Sequence, residues 1–331
     1  MRKVLLTGGS GFIGSHLSEA LEGKEVLNYD ILPPSVETKA TYLKGNIHDV
    51  EKLSNVLNGV DCVFHLAATH FDFQQNYERT NVAGTAAVIA AMEKADVKKI
   101  VFYSSVAVYG AIKKPTDENE EANPNMAYGQ SKYDAELLLR EWAEKANDRL
   151  LIIVRPTVVF GPHNFGNVFN LIKQIDSGVY FHIGGGTNTK SITYVKNLVL
   201  NTISLCKKLD TGVHVFNHID EPQLNTRDLA NAIASILNKS IKVVLPKWVA
   251  FLLAVPFDLL KRIFGINTPI SRERIVKFTS STHFIPRNLK LMGITTTIPV
   301  EEALKETITW YKNTDWEVLY GNWKDRVEKY N

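Results

Sequence analysis

The feature that most constrains the fold is a glycine-rich segment close to the start of the chain. Residues 4–14 read VLLTGGSGFIG, so a short apolar run passes directly into Gly8, Gly11 and Gly14, and residues 15–21 have helical composition. A strand, a glycine-rich turn and a helix in this order bind a dinucleotide pyrophosphate, because glycines permit close backbone approach and the helix N-terminus attracts the anion. The segment therefore predicts a dinucleotide-binding turn.

A carboxylate follows at the end of the next apolar segment, residues 25–29. Asp30 stands where an acidic side chain can accept both ribose hydroxyls of an adenosine and repel a 2′-phosphate. The next four residues, ILPP, include no Arg or Lys that could bind such a phosphate. The sequence therefore favours NAD over NADP. The alternative is that Asp30 is only a turn residue at a strand end.

Apolar runs alternate with helix-like segments over the first 160 residues. Strands are predicted at 4–6, 25–29, 62–66, 100–103 and 150–154, and helices at 15–21, 50–57, 82–95 and 127–146. This alternation predicts an α/β fold with a Rossmann-like, doubly wound parallel sheet.

The second half of the chain loses this regularity. We expect residues 1–160 to form the NAD-binding domain, with parts of 190–220 returning to it, and residues 161–331 to form mainly a smaller substrate-binding lobe. A strand is predicted at 213–217, and a later helix is predicted to begin with Thr226 as its capping residue.

Composition narrows the partners. The formal charge is +3 and the chain has no Lys/Arg run longer than two, so we expect no nucleic-acid partner. Two cysteines and nine scattered histidines show no metal-site spacing, and Cys62 lies in an apolar run as a small hydrophobic residue. The first strand is predicted near residue 3, so we expect no signal peptide and a cytoplasmic protein.

One apolar segment, residues 248–264, needs separate consideration. It reads WVAFLLAVPFDLLKRIF, which is short for a membrane span and is interrupted by Pro256 and Asp258. We favour a buried or dimer-packed helix pair kinked at Pro256. The alternative is an interfacial membrane anchor with Lys261 and Arg262 at its edge.

A second motif suggests chemistry. Tyr128 and Lys132 are four residues apart at the start of a predicted helix, and Ser105 ends a predicted strand, where open α/β sheets place their active sites. A tyrosine with a pKa near 10 needs a shift of ~3 units, or ~4 kcal/mol, to ionise near neutrality, which a nearby ammonium can supply. The phenolate could then take a proton from a sugar hydroxyl. The alternatives are a solvated helix pair and a strand-end serine cap.

At this point the chain resembles a known family. TGGSGFIG, GNIHD, HLAA, NVAGT, SSVAVYG, YGQSK and RPTVVFGP occur in the order and spacing of the extended short-chain dehydrogenase/reductases. The resemblance covers nearly the whole chain and is closest to the NAD-dependent nucleotide-sugar epimerases and dehydratases. It implies that Ser105, Tyr128 and Lys132 are catalytic, and that Ser105 and Lys190 contact the substrate.

The resemblance also implies a set of cofactor contacts from the turn, the strand ends and the catalytic helix. They are Gly8, Gly11, Phe12, Ile13, Gly14, Asp30, Asn46, Ile47, Leu66, Ala67, Ala68, Asn81, Tyr128, Lys132 and Pro156.

Departures from the family pattern narrow the reaction. Sugar 4,6-dehydratases of the family carry an Asp-Glu pair where this chain has Val106 and Ala107. Without that pair, elimination of water is not expected. Val158 replaces an Asn that contacts the substrate in many members, Lys190 replaces the diphosphate-binding Arg, and Asn197 replaces an Asp. Lys190 keeps a positive charge for a diphosphate, but a lysine cannot make the two parallel hydrogen bonds that an arginine makes to a phosphate.

The function that these residues favour is an NAD-dependent nucleotide-sugar 4-epimerase acting as a homodimer. Three alternatives remain: a 4-ketosugar reductase using NAD(P)H, a 3β-hydroxysteroid-like or lipid-linked-sugar oxidoreductase, and a non-catalytic NAD-binding module. Membrane association is possible but is not favoured.

Overall fold

The structure is a computed structural model that describes residues 1–69, 77–264 and 272–330. Its strands are β1 (Lys3–Thr7), β2 (Glu25–Asp30), β3 (Thr41–Lys44), β4 (Cys62–His65), β5 (Lys99–Tyr103), β6 (Leu150–Pro156), β7 (Val158–Phe160), β8 (His182–Ile183), β9 (Thr189–Lys190), β10 (Ile192–Tyr194), β11 (Gly212–His218), β12 (Leu224–Asn225) and β13 (Val244–Leu245).

The helices follow the same chain order. They are α1 (Phe12–Ala20), α2 (Val50–Val56), α3 (Gly84–Lys94), α4 (Ala127–Glu144), α5 (Asn167–Asp176), α6 (Val195–Lys208), α7 (Thr226–Ile236), α8 (Lys247–Phe264), α9 (Arg272–Thr279), α10 (Arg287–Leu291), α11 (Val300–Asn313) and α12 (Trp316–Tyr330). A π-helical turn, Glu78–Ala83, leads into α3, and a 3₁₀ turn, Val106–Tyr109, follows β5.

Seven parallel strands form the central sheet, in the order β11-β6-β5-β4-β1-β2-β3. Alternate residues of each central strand enter opposite cores, as a doubly wound sheet requires. In β1, Leu5 packs with residues of α2, α3 and α4, whereas Val4 and Leu6 pack with residues of α1, α6 and α10. The predicted fold class is therefore confirmed.

One strand of the sheet, β3, was missed by sequence reasoning, whereas the strand predicted at 213–217 is present as β11. The edge strand β3 is half-exposed and short, so it carries no apolar run that would have revealed it. Strand β11 pairs along its whole length with β6 and brings the segment within 190–220 back to the sheet.

A third core supports the later part of the chain. It is formed by α5, α7 and α11 together with β7 and β10, and the N-terminal residues of α1, Phe12 and Ile13, pack against it. The predicted capping residue of α7 was wrong by one position. Asn225 caps the helix by accepting a hydrogen bond from the Asp228 amide, and Thr226 is the first helical residue.

Helix α8 differs from the helix pair predicted for residues 248–264. It is one helix that continues through Pro256. Ala250 and Ala254 are buried against Ile275 of α9, but Trp248 and Leu252 are largely exposed. The side chains of Lys261 and Arg262 lie outside those that the structure describes. Within the described ranges, none of the helices is long and apolar enough to cross a membrane.

Candidate active site

The glycine turn joins β1 to α1 and lies at the carboxyl end of β1. Gly8 has φ +71°, and a Cβ on it would lie 2.6 Å from the Ala67 backbone nitrogen. A Cβ on Gly14 would lie 2.6 Å from the carbonyl oxygen of Gly9. Larger residues at these two positions would therefore push the turn away from the strand ends, and glycine is required for close approach.

The N-terminus of α1 opens on this turn. Gly11 precedes the helix without a side-chain capping bond, and no acidic residue lies in the first turn. The backbone amides of Phe12 and Ile13 and the positive end of the helix dipole are therefore available to an anion. This arrangement fits a dinucleotide pyrophosphate.

The carboxylate of Asp30 closes the turn from the end of β2. Its Oδ2 accepts a hydrogen bond from the Ser10 amide, and its Oδ1 accepts one from the Leu32 amide, each at 3.0 Å. These bonds hold the carboxylate next to the glycine turn, where an adenosine ribose would lie.

The residues expected at the adenine divide into one exposed and one buried side chain. Asn46 is exposed, and its Oδ1 accepts a hydrogen bond from the His48 amide at 3.0 Å. Ile47 is buried in the core with α3, so it would present only an edge of its side chain to a base.

The segment after β4 lies against the same turn. Leu66 and Ala67 are partly buried and Ala68 is exposed. Asn81 holds the next residue, because its Oδ1 accepts from the Thr69 amide at 2.9 Å. Its Nδ2 also donates to Ser131 Oγ at 2.9 Å, which ties this segment to α4. Asn81 therefore connects the expected cofactor strand end to the helix of Tyr128.

Ser105 and Tyr128 meet at the carboxyl end of β5. The Tyr128 side chain is hydrogen-bonded to Ser105, whose Oγ also accepts from the Ala107 amide at 3.1 Å. The serine both begins the 3₁₀ turn and contacts the tyrosine, so its capping role and its catalytic role are compatible. Tyr77 packs 5.9 Å from the Tyr128 ring, between centroids, and was not identified from the sequence.

The pKa of Tyr128 differs from the expectation. Burial raises it to about 12, although the hydrogen bond from Ser105 opposes the rise. Loss of hydration therefore outweighs the contacts that stabilise the phenolate, and the lowering expected from Lys132 is not seen. The phenol is protonated at neutral pH.

Lys132 is fully enclosed one helical turn beyond Tyr128. Its Nζ lies 4.4 Å from the centroid of the Phe102 ring. Burial lowers its pKa to about 7, and the carboxylate of Glu136 raises it in opposition. Burial, assisted by the charge of Lys132, also lowers the pKa of His65 to about 3, so this histidine is neutral.

A buried polar network extends from this helix, and sequence reasoning missed it. Ser104 Oγ donates to Glu136 Oε1 at 2.5 Å, and Arg155 Nε donates to the same oxygen at 2.9 Å. Arg155 Nη1 donates to the Tyr109 hydroxyl at 2.8 Å. Glu136 is 0% exposed and Arg155 4% exposed. The only local signal was Arg155, a charged residue inside the otherwise apolar strand β6.

Two further predicted residues lie in β6 and β9. Pro156 is buried at the end of β6, opposite His218 of β11. Lys190 lies in β9, where its Nζ donates to the Ser280 carbonyl at 2.7 Å. Burial lowers the pKa of Lys190 to about 8, so it is mainly cationic at neutral pH.

Similarity to known proteins agrees with this geometry. Residues 4–218 match the family described as NAD dependent epimerase/dehydratase. The chain is 40% identical over 311 residues to the N-acetyl-alpha-D-glucosaminyl-diphospho-ditrans,octacis-undecaprenol 4-epimerase of Escherichia coli O157:H7, covering 92% of this chain and 94% of that protein. It is 33% identical over 230 residues to the UDP-glucose 4-epimerase of Lactobacillus helveticus, covering 60% of this chain and 69% of that protein.

The fold has close counterparts among solved structures. MoeE5 in complex with UDP-glucuronic acid and NAD has a TM-score of 0.75 at 24% identity, covering 94% of this chain and 99% of that one. The glycine turn, the α1 N-terminus and Asp30 fit the NAD that the family uses. The chain therefore belongs to the NAD-dependent epimerase/dehydratase family and is an enzyme of the extended short-chain dehydrogenase/reductase type.

Proposed function

We propose that this enzyme epimerises, at C4, a sugar carried on a diphosphate, and that the carrier is a polyprenol. The observation that carries the proposal is the 40% identity, over 92% of the chain, to a 4-epimerase of a lipid-linked N-acetylglucosamine. A nucleotide-sugar substrate is the second candidate, supported by the 33% identity to a UDP-glucose 4-epimerase.

In the proposed mechanism Tyr128 is the acid/base residue. NAD held by the glycine turn and Asp30 would supply the hydride acceptor, and then the hydride donor, for C4 of the sugar. The phenolate of Tyr128, which the charge of Lys132 would favour once substrate and cofactor are bound, would take the proton of the C4 hydroxyl in the oxidation and give it back in the reduction. One group would then serve both half-reactions. Ser105 orients the reacting oxygen through the hydrogen bond that it shares with Tyr128. Because the hydride and the proton both return, the reaction has no net redox change.

The residues beside Ser105 support epimerisation rather than dehydration. Val106 and Ala107 begin the 3₁₀ turn and carry no acid or base. Elimination of water from the sugar needs a further proton donor and acceptor at the site, and these two positions supply neither. We assign to Lys132 the role of supporting the phenolate, and to Lys190 that of binding the diphosphate.

We also propose a homodimer in the cytoplasm. Ala86 and Leu137 are exposed on α3 and α4, the two helices that we propose pack against a second copy. Ala91 and Leu139 of the same helices are buried in the enzyme's own core and cannot contribute. Cys62 and Cys206 are free thiols, as in a reducing compartment.

The experiment that tests the function uses no added cofactor. The purified enzyme is incubated separately with polyprenyl-diphospho-N-acetylglucosamine in detergent and with a panel of UDP-sugars, and the products are separated. An epimerase that retains NAD produces the C4 epimer unaided. A requirement for a stoichiometric hydride donor would instead identify a ketosugar reductase. Turnover of UDP-sugars alone would select the nucleotide carrier.

A further inference from the structure

Within the described residues, helix α8 has an apolar face that is largely exposed. Ala250 and Ala254 point towards the protein, and at 100° per residue Trp248, Leu252 and Val255 lie on the opposite side of the helix. These three side chains are 70%, 66% and 45% exposed. We call them the α8 apolar face. An aromatic residue at one end of such a face is typical of helices that lie in a membrane interface.

The chain around this face is strongly basic. Residues 239–290 contain ten Lys and Arg but only two Asp and Glu, whereas the whole chain contains 38 and 35. The remainder of the protein is therefore net negative, and three of its carboxylates pair with Lys239, Arg287 and Lys290 of this segment. The other seven cations of the segment outnumber its own two carboxylates. Lys242, Lys247 and Arg272 are exposed within it. Such a segment is complementary to an anionic lipid surface.

The same segment reaches the proposed diphosphate site. Arg272 of α9 is paired with Asp258 of α8 at 2.5 Å, and α9 carries the exposed Val276. Ser280 follows α9 directly, and its amide donates to the Val276 carbonyl at 2.9 Å. The Ser280 carbonyl accepts the hydrogen bond from Lys190 Nζ. Ser280 lies about 6 Å along the helix axis from the exposed Val276, so the cation is close to the exposed end of α9.

We propose that the α8 apolar face and the basic residues around it dock the enzyme on an anionic membrane. This inference deepens the proposed function and rests on it in one respect, because a polyprenol carrier resides in the membrane. The docked orientation places Lys190 close to the lipid surface, where the diphosphate of such a carrier is found. The exposed apolar face differs from the buried form of the helix that the sequence favoured, and the dimer-packed form of that prediction is left to the test below.

The test is sedimentation of the full-length enzyme with vesicles of phosphatidylglycerol and phosphatidylethanolamine. Wild type is expected to bind, and the double variant Trp248→Ser/Leu252→Ser to lose at least about 30-fold in affinity because two large apolar side chains no longer insert. The matched control is Val179→Ser/Leu291→Ser, which removes two similarly exposed side chains, 64% and 74%, elsewhere on the surface. The control should bind as wild type does.

A second pair of variants tests the charge. Lys242→Gln and Lys247→Gln should each weaken binding about fivefold on anionic vesicles. The effect should disappear on phosphatidylcholine vesicles and diminish with added salt. Equal effects on both kinds of vesicle would overturn the electrostatic part of the proposal.

The remaining outcomes separate docking from catalysis. A wild-type enzyme that fails to bind vesicles overturns the docking proposal, whatever its substrate. If Trp248→Ser/Leu252→Ser instead dissociates a dimer in light scattering and vesicles are ignored, the face binds a second copy. If vesicles are bound but only UDP-sugars are turned over, docking stands and the polyprenol carrier is wrong.

Discussion

The carboxylate of Glu136 accepts two hydrogen bonds from the guanidinium of Arg155, inside the protein and one helical turn beyond Lys132. The pair joins α4 to β6, the neighbour of β5, and Ser105 follows the end of β5. Tyr128, Lys132 and Glu136 lie four residues apart along one face of α4. The acid/base residue, its neighbouring cation and the buried anion therefore form a single series on one rigid element.

Removing the charge of Glu136 should destabilise the protein strongly. Glu136→Gln leaves Arg155 buried without a counter-ion, and we expect a loss of about 3–5 kcal/mol in the free energy of unfolding, measured with urea. Glu141→Gln is the control, since Glu141 is paired with Lys145 on the exposed side of the same helix. It should change the free energy by less than about 1 kcal/mol. Similar losses in both variants would contradict the role assigned to burial.

Loss of the Tyr128 hydroxyl should remove the chemistry and spare the fold. We expect Tyr128→Phe to lower kcat by about two orders of magnitude or more, as loss of a general acid/base does. Thermal unfolding and the amount of NAD that copurifies should stay near wild type. Tyr133→Phe, which removes the same atom from the same helix, serves as the control. Near-normal turnover by Tyr128→Phe would exclude this residue from the mechanism.

Asp30 should determine the choice of cofactor. Asp30→Ala removes a charged acceptor beside the ribose, so NAD affinity should fall about 10-fold or more in calorimetric titration. NADP affinity should fall less, because repulsion of the 2′-phosphate is also removed. Asp30 also holds the amides of Ser10 and Leu32, so its loss could damage the turn itself. Damage to the turn would weaken NAD and NADP binding equally, whereas loss of ribose recognition would weaken NAD binding more. Asp210→Ala, at an exposed site, is the control. A wild type that prefers NADP would refute this interpretation.

The buried carboxyl of Asp220 should make stability depend on pH. Burial raises its pKa from 3.8 to about 7, so between these values the folded protein binds more protons than the unfolded chain. Its contribution to stability is therefore complete below about pH 4 and is lost as the pH rises through 7, by ~4 kcal/mol in total. Asp220→Asn should raise Tm at pH 8 more than at pH 5, whereas Asp210→Asn should not. An identical pH dependence in wild type and Asp220→Asn would be the contrary result.

The oligomeric state tests the surface of α3 and α4. Light scattering at micromolar concentration should show a dimer, and Leu137→Glu should shift it towards the monomer because a charge replaces a 46% exposed apolar side chain. Leu291→Glu introduces the same charge at another exposed leucine and should leave the dimer intact. A wild-type monomer would contradict the proposal.

Local motifs were sufficient to predict six of the seven strands of the sheet and to nominate the residues of the candidate site. The glycine turn, Asp30 and the Tyr128/Lys132 pair each lie within one strand–turn–helix unit, so their spacing in sequence defines their position in space. Ser105 followed from the rule that active sites lie at the carboxyl ends of parallel strands.

What could not be predicted depends on contacts distant in sequence. Glu136 of α4 and Arg155 of β6 are 19 residues apart in sequence, and they pair only when α4 packs on the sheet. The pKa of Tyr128 depends on how fully the surrounding residues exclude water. The exposed side of α8 depends on which side Ile275 covers, and α8 is apolar on nearly every side, so its periodicity could not identify that side.

Phe12 and Ile13 face two partners at once. Their amides open on the glycine turn, and their side chains pack against the core that supports the later lobe. A shift of the turn upon dinucleotide binding would therefore move the residues of that core through direct packing. Thermodynamic reciprocity then requires that, if the dinucleotide changes the affinity for the sugar by some factor, the sugar changes the affinity for the dinucleotide by the same factor.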